Sequence, residues 1–447
     1  MSNRRSIGGR YLACLVAGQV SRITRYYDAL VQFKPLASDD GALLRYADCA
    51  TKVTAARLEE IPEQLTDAGG QRTAFLLNGN LNHDLDIEAT LTRLKTRLNR
   101  LSRVIVILYN PYFRGVFRLA TLLGLRTGPL PSTFVTRESL VALAALSGYD
   151  VVQVKPMGYV PYRLLGLGDL INRILPAVPL VRWCGAAAVV VLRPVAGSTP
   201  PSLSIVIPCR NERANIEAVL TRLPSFPAPV EVIFVEGDSS DGTWEEVQRV
   251  VALAGARFRR FKLAAYQQTA TGKSDAVRFG FSKATHDLVT VLDADMAMPP
   301  EMLMRFYNAY CAGLADFING TRLVYPMEGQ PMRFVNRLGS VLFAKGLSFV
   351  LDARLTDSMC GTKLLRRDDY ARMVRWRQDF GDVDPFGDFE LLFPAAILGL
   401  GIIDVPVYHR ARQYGAADLH RFRHRLLLVR MMLIGWIRVK TGAAPKL

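Results

Sequence analysis

From residue 203 onward, short runs of apolar residues alternate with segments whose apolar residues recur every three or four positions. The apolar runs are LSIVIP at 203–208, EVIFVE at 231–236 and LVTVL at 288–292. The intervening segments at 211–223, 243–255 and 273–284 have the spacing of amphipathic helices. Because strands that are buried on both faces are apolar throughout, this alternation predicts a mostly parallel sheet with helices on both faces.

The chain before residue 197 has a second, less regular alternation. The segment at 73–94 has the pattern of a strand, a loop and a helix, and further apolar segments follow at 102–112, 133–154 and 186–194. Residues 193–202 are rich in Pro, Gly, Ser and Thr, which indicates a linker. We therefore predict four parts: an N-terminal α/β domain at 1–197, a linker at 198–202, a second α/β domain at 203–418 and a basic segment at 419–447.

Composition indicates an ordered, basic protein. Half of the 447 residues are apolar and the formal net charge is +16, which favours a polyphosphate ligand, an anionic lipid or nucleic acid as partner. Nucleic acid ranks last, because no aromatic and basic recognition motif is present. The six cysteines form no CxxC pair, so we expect free thiols in a reducing compartment. We expect neither a signal peptide nor a membrane-spanning helix, which needs about 20 apolar residues.

Two carboxylates follow the apolar run at 288–292, and this is where candidate chemistry enters. Asp293 and Asp295 stand one residue apart at the predicted carboxyl end of that strand. Polar residues also follow the other two strands, at 208–212 and 236–241, and ligands of such sheets bind beyond the carboxyl ends of the strands. Carboxylate oxygens suit hard cations such as Mg²⁺ or Mn²⁺. The alternative is local capping, with Asp295 capping the next helix and Asp293 bonding backbone amides.

Four stretches in the order LSIVIPCRNERANI, VEGDSSDGTWEEV, GKSDAVRFGF and LDADMAMPPE resemble glycosyltransferase family 2, whose members have the GT-A fold. Later stretches, among them INGTRLVYP, DSMCGTKLLRR, DPFGDFELLFPAA and VPVYHRARQYG, are similar to the dolichyl-phosphate mannosyltransferase-like branch. The resemblance covers residues 202–430. It implies an inverting, hexosyltransferase-like enzyme that uses a nucleotide-diphosphate sugar and Mg²⁺ or Mn²⁺. No Q-x-x-R-W stretch of the processive synthases is present, which implies the addition of a single sugar.

The resemblance also implies roles for individual residues. The nucleotide-sugar pocket would contain Pro208, Arg210, Glu212, Glu236, Asp293, Arg322 and Arg412, the metal would be held by Asp293 and Asp295, and the catalytic carboxylate would be Asp388 or Glu390. A hydroxyl acceptor would need that carboxylate as a general base, whereas a polyprenyl phosphate is already ionised. Structural alternatives remain: Glu236 can cap the turn that follows it, Asp388 can stabilise its own turn, and the arginines can form surface ion pairs.

One loop departs from the pattern of the branch. Its members tend to follow the Tyr-Gly of this loop with a polar stretch similar to Ser-Lys, but here Ala416, Ala417 and Asp418 follow Gly415. Two hydrogen-bond donors are thereby lost and a negative charge is added. Contact between this loop and an acceptor phosphate is therefore open, although several arginines and histidines lie nearby in the sequence.

Residues 70–195 resemble the second half of a class I S-adenosylmethionine methyltransferase fold. The first half of such a fold should contain a strand that ends in a Gly-rich turn, but residues 1–70 contain no D-x-G-x-G-x-G. Fewer than 50 residues separate Tyr27 from the strand at Ala74, too few for the usual set of strands and helices. We therefore predict a degenerate, truncated domain that does not bind S-adenosylmethionine.

The segment at 419–440 combines basic ends with a dense apolar body that includes Trp436. It can be an interfacial helix on an anionic membrane or a terminal helix packed on the sheet. The first interpretation fits a cytoplasmic protein bound peripherally to the inner face of the cell membrane. Two alternatives to the enzyme remain open: a scaffold in which both domains have lost catalysis, and an active methyltransferase.

Overall fold

The computed structural model describes residues 7–66, 71–123, 130–325, 334–357, 360–380, 387–408 and 421–442. These residues form two compact units, each with its own sheet. Unit 1 comprises the described residues up to 196 together with 397–399 and 436–442, and unit 2 comprises the described residues of 197–396 and 400–435. The predicted α/β class is confirmed, since both sheets are accompanied by helices.

Unit 1 is built on a sheet with the strand order β2-β1-β3-β4-β6-β5 among the described residues. Its strands are β1 (Ala29–Phe33), β2 (Thr51–Ala55), β3 (Thr73–Asn78), β4 (Arg103–Tyr109), β5 (Tyr149–Met157) and β6 (Ala187–Pro194). Its helices are α1 (Ile7–Thr24), α2 (Ala42–Tyr46), α3 (Ile87–Lys95), α4 (Arg114–Leu122), α5 (Arg137–Leu146) and α6 (Leu167–Ile174), with short 3-10 helices at Pro111–Phe113, Leu164–Gly166, Leu175–Ala177 and Val181–Cys184 and a π-helix at Trp436–Lys440.

The strands of unit 1 are parallel except for β6, which runs antiparallel to both β4 and β5. Apolar residues fill both faces of the central strands, as the sequence of β3 and β4 predicts. Phe75 and Leu77 belong to one core cluster, whereas Ala74 and Leu76 belong to the cluster on the opposite face. This division follows from the two-residue period of a strand.

Unit 2 contains a sheet with the order β13-β11-β12-β10-β7-β8-β9 among the described residues. Its strands are β7 (Leu203–Cys209), β8 (Val230–Glu236), β9 (Phe261–Gln267), β10 (Leu288–Val291), β11 (Phe317–Thr321), β12 (Lys363–Arg366) and β13 (Ile402–Pro406). Its helices are α7 (Ile216–Arg222), α8 (Thr243–Ala252), α9 (Ala254–Arg257), α10 (Lys273–Lys283), α11 (Leu303–Cys311), α12 (Phe334–Leu351), α13 (Arg367–Phe380), α14 (Phe389–Ile397) and α15 (Arg421–Gly435), with 3-10 helices at Arg213–Asn215 and Pro300–Met302.

The predicted alternation of unit 2 is confirmed, with two differences. The helix expected at 211–223 begins as a 3-10 turn, so α7 starts only at Ile216. The helix expected at 243–255 is interrupted at Leu253, where α8 ends and the short α9 begins. Strands β10, β7, β8 and β9 are mutually parallel, and β12 alone among the described strands of this sheet runs against its neighbours.

No helix in the described part of the chain combines the length and the apolar content that crossing a membrane requires. In unit 2 the apolar residues of β7, β8 and β10 form one core with helices α7, α8 and α11. This core fixes the strand positions, and thereby the places where their polar carboxyl ends emerge.

Candidate functional site

The carboxyl ends of β10, β7 and β8 lie side by side at one edge of the sheet in unit 2. The pairing places Val291 opposite Val206 and Cys209 opposite Glu236. Since β12 is antiparallel to β10, its first residue, Lys363, enters the sheet at this same edge. The residues that follow β10 and those that precede β12 therefore meet there.

Asp293 is paired with a lysine that the sequence reasoning did not assign. The Nζ atom of Lys273, the first residue of α10, lies 2.5 Å from Asp293 Oδ1. Burial alone would lower the pKa of Lys273, but the charge of Asp293, assisted by Asp388 and Asp295, raises it above its usual value. Lys273 is therefore kept in its protonated form by the carboxylates around it.

Asp295 uses one oxygen locally, because its Oδ1 accepts a hydrogen bond of 3.0 Å from the backbone amide of Ala297. This contact stabilises the turn after Asp295, but it does not cap a helix, because the next helical segment begins only at Pro300 and has no side-chain cap. No cluster of three or more His, Cys, Asp or Glu side chains that could hold a metal occurs in the described residues. Two neighbouring carboxylates nevertheless fit a hard cation that takes its other ligands from a diphosphate and water.

Gly361 brings the backbone against this pair of charges. A methyl group added at Gly361 would lie 2.6 Å from Lys273 Nζ and 2.9 Å from Asp293 Oδ2. Both distances are shorter than real Cβ contacts, so a side chain at residue 361 would displace Lys273 Nζ and Asp293 Oδ2 from their present positions. The motif CGTKL contained this signal, since a glycine directly before a strand often permits close approach.

The two candidate catalytic carboxylates occupy different surroundings. Asp388 Oδ1 lies 2.5 Å from Nζ of Lys363, which also donates to the carbonyl of Cys360 at 2.6 Å. Lys363 is 1% exposed, so Asp388 compensates a buried charge, and its field also reaches Lys273.

Glu390 belongs to a second cluster, one turn further along α10. Arg278 Nε–H is shared between its two carboxylate oxygens, at 3.0 Å from each, Arg278 Nη2 donates a further hydrogen bond, and Arg377 lies 3.6 Å away. The Glu390 side chain is 8% exposed. The structure therefore brings Asp388 towards Asp293, whereas Glu390 is engaged with arginines.

Arg322 follows β11 and forms a bidentate ion pair with Asp357, at 2.7 and 3.0 Å. Burial would lower the pKa of Arg322, but Asp357 raises it above its usual value, with smaller contributions that include Asp388. The guanidinium thus lies within electrostatic range of Asp388. Arg412 lies outside the described residues.

On the opposite side of β10, Glu236 is almost fully buried at the end of β8. Its Oε1 accepts from the amide of Ser239 at 2.6 Å and its Oε2 from Gln267 Nε2 at 3.3 Å. The turn-capping alternative is therefore realised for Oε1, while each oxygen retains a second lone pair.

The other predicted nucleotide residues follow β7. Glu212 is partly buried and accepts a 2.6 Å hydrogen bond from Asn215 Nδ2. Arg210 is exposed, and its Cβ lies 3.6 Å from the position that a Cβ on Gly237 would take. Pro208, opposite Val235 in β8, is partly exposed. These residues follow β7, which lies between β10, the strand before Asp293, and β8, the strand that ends at Glu236.

Sequence reasoning assigned no role to Lys273 or Lys363. Lys273 was visible, because it stands in the GKSDAVRFGF stretch as the first residue of a predicted helix. Lys363 was not, because a lysine at the start of a strand normally points to solvent. Its burial depends on Asp388, which lies 25 residues further along the chain.

In comparison with known protein families, residues 204–373 match the family described as "Glycosyl transferase family 2". A dolichol-phosphate mannosyltransferase of Pyrococcus furiosus is 27% identical over 226 residues, which cover 48% of this chain and 59% of the relative. A dolichyl-phosphate hexose transferase of Haloferax volcanii is 28% identical over 47% of this chain and 83% of the relative. An undecaprenyl-phosphate 4-deoxy-4-formamido-L-arabinose transferase of Aeromonas hydrophila is 28% identical over 37% of this chain and 49% of the relative.

Thus the chain spans 59% of the first of these relatives and about half of the third. Among solved structures, a mannosyltransferase from Pyrobaculum calidifontis in complex with GDP-Man and Mn²⁺ is similar with a TM-score of 0.36 and 20% identity. That similarity covers 54% of this chain and 65% of the other.

Proposed function

We propose that this chain, which contains a glycosyl transferase family 2 domain, transfers a sugar with inversion from a nucleotide-diphosphate sugar to a polyprenyl phosphate. The observation that carries the proposal is the group of charges at one sheet edge. Asp293 and Asp295 follow β10, Lys273 lies 2.5 Å from Asp293, and Asp388 is near enough to raise the pKa of Lys273. A leaving diphosphate needs positive charge, and a hard cation needs carboxylates; this edge supplies both.

The donor would be held by residues of the neighbouring strand ends. A remaining lone pair on a carboxylate oxygen of Glu236 accepts a hydrogen bond from an imino or amino group of the base. Pro208, Arg210 and Glu212 line the pocket on the β7 side. Glu236 can pair in this way with uracil or with guanine.

Asp293 and Asp295 would hold Mg²⁺ or Mn²⁺, which when bound neutralises charge on the diphosphate. Lys273 and Arg322 add protein-borne positive charge near the same group, and Arg412 is proposed as a further phosphate contact. An acceptor oxygen attacks the anomeric carbon as the bond from that carbon to the diphosphate oxygen breaks. The nucleoside diphosphate leaves with the bonding electrons, and the configuration inverts.

The acceptor decides what Asp388 does. A phosphate acceptor carries its own negative charge and needs no base, so Asp388 would position the sugar or the metal. A hydroxyl acceptor would transfer its proton to Asp388 Oδ2, while Oδ1 keeps its contact with Lys363. The contacts of Glu390 with Arg278 favour a positioning role for that residue. Relatives whose names specify dolichol phosphate or undecaprenyl phosphate support the phosphate acceptor.

For unit 1 we propose a degenerate methyltransferase-like domain that does not bind S-adenosylmethionine. The order β2-β1-β3-β4-β6-β5 with antiparallel β6 supports the resemblance of the fold. At the carboxyl ends of β1 and β3, the carboxylate of Asp39 accepts from Gln32 Nε2 at 2.7 Å, Asn78 Nδ2 at 2.6 Å and the amide of Gly41 at 2.8 Å. Polar groups that would face a cofactor there bind each other instead.

We also propose peripheral association with the cytoplasmic leaflet, where a polyprenyl phosphate would be reached. In α15, Val429 and Leu433 are exposed one turn apart, with Arg430 exposed between them. Exposed apolar residues next to arginine are typical of an interfacial helix.

Calorimetric titration with UDP and GDP in the presence of Mn²⁺ tests the donor site. We expect heat of binding with one of them and none without the metal; silence with both would favour the scaffold alternative. A panel of nucleotide sugars, offered with a short polyprenyl phosphate, then identifies donor and acceptor. Transfer to water alone would contradict the lipid acceptor while leaving the donor site intact.

A further inference from the structure

The connection between β5 and β6 in unit 1, residues 158–186, exposes an unusual number of large apolar side chains. Leu165 is fully exposed and Leu180 is 87% exposed. Further exposed members are Leu164, Leu167, Leu170 and Trp183. Burial in the protein core thus does not explain why this connection is so rich in leucine.

Backbone conformation adds a second, independent observation. Leu164, Leu165 and Leu180 have φ angles of +46°, +58° and +66°. This region is disfavoured for residues with a Cβ atom, and leucine gains nothing there from local hydrogen bonding. The fold therefore holds these leucines in disfavoured conformations with their side chains in solvent, an arrangement that persists where it serves a function.

Helix α4 extends the same surface. The Nδ2 atom of Asn110, which precedes α4, donates to the carbonyls of Trp183 at 2.9 Å and Gly185 at 2.6 Å. The two segments therefore meet at one end of the sheet, where Tyr109 pairs with Ala187. Along α4 and just before it, the exposed apolar residues are Tyr112, Val116, Leu119 and Leu122.

The charges of this surface are almost all positive. Residues 110–123 and 158–186 contain five arginines, of which Arg182 is buried, and one acid, Asp169. That acid is engaged locally, because it accepts from Tyr11 Oη at 2.6 Å and from Arg163 Nε at 3.2 Å. Arg114, Arg118 and Arg173 are exposed.

We propose that this surface, the exposed faces of 110–123 and 158–186, docks unit 1 on an anionic phospholipid bilayer. The leucines enter the boundary between headgroups and acyl chains, Trp183 lies at headgroup level, and the arginines contact lipid phosphates. A second copy of the chain is disfavoured as the occupant, since it would bring arginines against arginines. The docking rests on the membrane location in the proposed function, but its surface lies in unit 1, outside the residues 204–373 that match the transferase family.

Flotation of the full-length protein with vesicles tests the docking. We expect binding to vesicles that contain phosphatidylglycerol, weaker binding at high salt, and little binding to pure phosphatidylcholine. The double variant Leu165→Asp/Leu180→Asp should bind at least about tenfold more weakly. The matched control is Leu85→Asp, a leucine of the same unit that is 92% exposed outside this surface, and it should float like the wild type.

Three further measurements distinguish this docking surface from the proposed enzymatic function and from membrane binding by α15. Nucleotide-sugar hydrolysis without vesicles should be unchanged in Leu165→Asp/Leu180→Asp, which shows that the variant is folded. The fluorescence of the wild type should shift to the blue on vesicle addition, and Trp183→Phe should reduce the shift. Flotation of the variant Val429→Asp/Leu433→Asp measures how much α15 contributes to vesicle binding.

Equal flotation of Leu165→Asp/Leu180→Asp and wild type would overturn the inference. So would loss of binding in Val429→Asp/Leu433→Asp alone, which would leave peripheral association intact but assign it to α15. A wild-type dimer in solution that Leu165→Asp/Leu180→Asp converts to monomer would identify a second copy as the occupant instead.

Discussion

Two lysines stand beside the carboxylates of the candidate site, and each compensates a different one. Lys273 pairs with Asp293 and is about half exposed, whereas Lys363 pairs with Asp388 and is buried. A half-exposed ammonium can move when a ligand arrives. A buried one cannot leave without exposing an uncompensated carboxylate, so the Lys363–Asp388 pair is the fixed part of the site.

Asp293→Asn and Asp295→Asn should each lower sugar transfer by about 100-fold or more, because each removes negative charge that a divalent cation requires. Stability should change little, since Asp293 is partly exposed and asparagine can still accept the hydrogen bond from Ala297. Turnover at saturating Mn²⁺ and thermal unfolding are the measurements.

The control is Asp368→Asn, the same change at a half-exposed position in α13. Near wild-type turnover of either Asp293→Asn or Asp295→Asn at saturating metal would show that the metal is held elsewhere.

Gly361→Ala should weaken metal activation by several-fold and leave the fold intact. The added methyl group would meet Lys273 Nζ and Asp293 Oδ2. Because Lys273 ends a flexible side chain, the methyl group displaces these groups rather than the backbone. The concentration of Mn²⁺ for half-maximal activity should rise relative to Gly339→Ala, where nothing lies within 4 Å of an added Cβ. An unchanged value would mean that the close approach at Gly361 has no part in metal binding.

At the scale of elements, α10 organises the site by presenting different groups on successive turns. Its first residue, Lys273, reaches Asp293, and Arg278 in the next turn reaches Glu390 at the start of α14. One helix thereby connects the strand end of β10 with the segment that supplies Asp388. Asp388, just before α14, and Glu390, within α14, are therefore close in sequence but pair with different cations, Lys363 and Arg278.

Asp388→Asn and Glu390→Gln should therefore fail in different ways. Glu390→Gln leaves the Arg278 guanidinium without its charge partner and should cost about 3 kcal/mol of unfolding free energy, while folded protein keeps measurable turnover. Asp388→Asn leaves the buried ammonium of Lys363 without its charge partner, so it should lower both turnover and stability. Parallel urea unfolding and initial-rate measurements separate the two. Abolished turnover in fully folded Glu390→Gln would restore Glu390 as the catalytic carboxylate.

The sequence predicted the alternation of unit 2 because buried parallel strands are continuous apolar runs, which local reading detects. It also predicted Asp293 and Glu236 at strand ends of one sheet, since Asp293 follows such a run and Glu236 ends one. It could not predict that Glu390 faces Arg278, because that contact joins residues 112 positions apart. It also missed strands β1 and β2, which lie in the stretch before residue 73 that was judged too short for the usual elements.

At the scale of the whole chain, the two units have separate sheets and separate cores, and only unit 2 contains the residues that match family 2. The net charge of +16 favours binding of the whole molecule to an anionic partner such as a membrane surface. The unit without the family match then needs a role other than binding the donor.

The full-length protein should not bind S-adenosylmethionine. The loop after β1 contains Asp39, whose contacts with Gln32 and Asn78 occupy the polar groups at the strand ends. Its single glycine, Gly41, donates to Asp39 and does not make the Gly-rich turn that lets backbone approach a cofactor. Calorimetry should give no heat with the cofactor, while UDP or GDP with Mn²⁺ gives heat in the same sample. A micromolar dissociation constant would restore the methyltransferase alternative.

Unit 1 is not contiguous in the chain, because residues 397–399 and 436–442 belong to it as well as the described residues up to 196. Within this unit, Arg103 Nε donates to the carbonyl of Gly399 at 2.6 Å, Tyr27 Oη to that of Leu398 at 3.1 Å, and Lys155 Nζ to that of Val439 at 2.9 Å. A gene cut at the linker would remove all three acceptors from buried donors, at about 1–3 kcal/mol each. A single crossover at the linker would therefore separate this unit from its own segments at 397–399 and 436–442, so it could not exchange the unit intact.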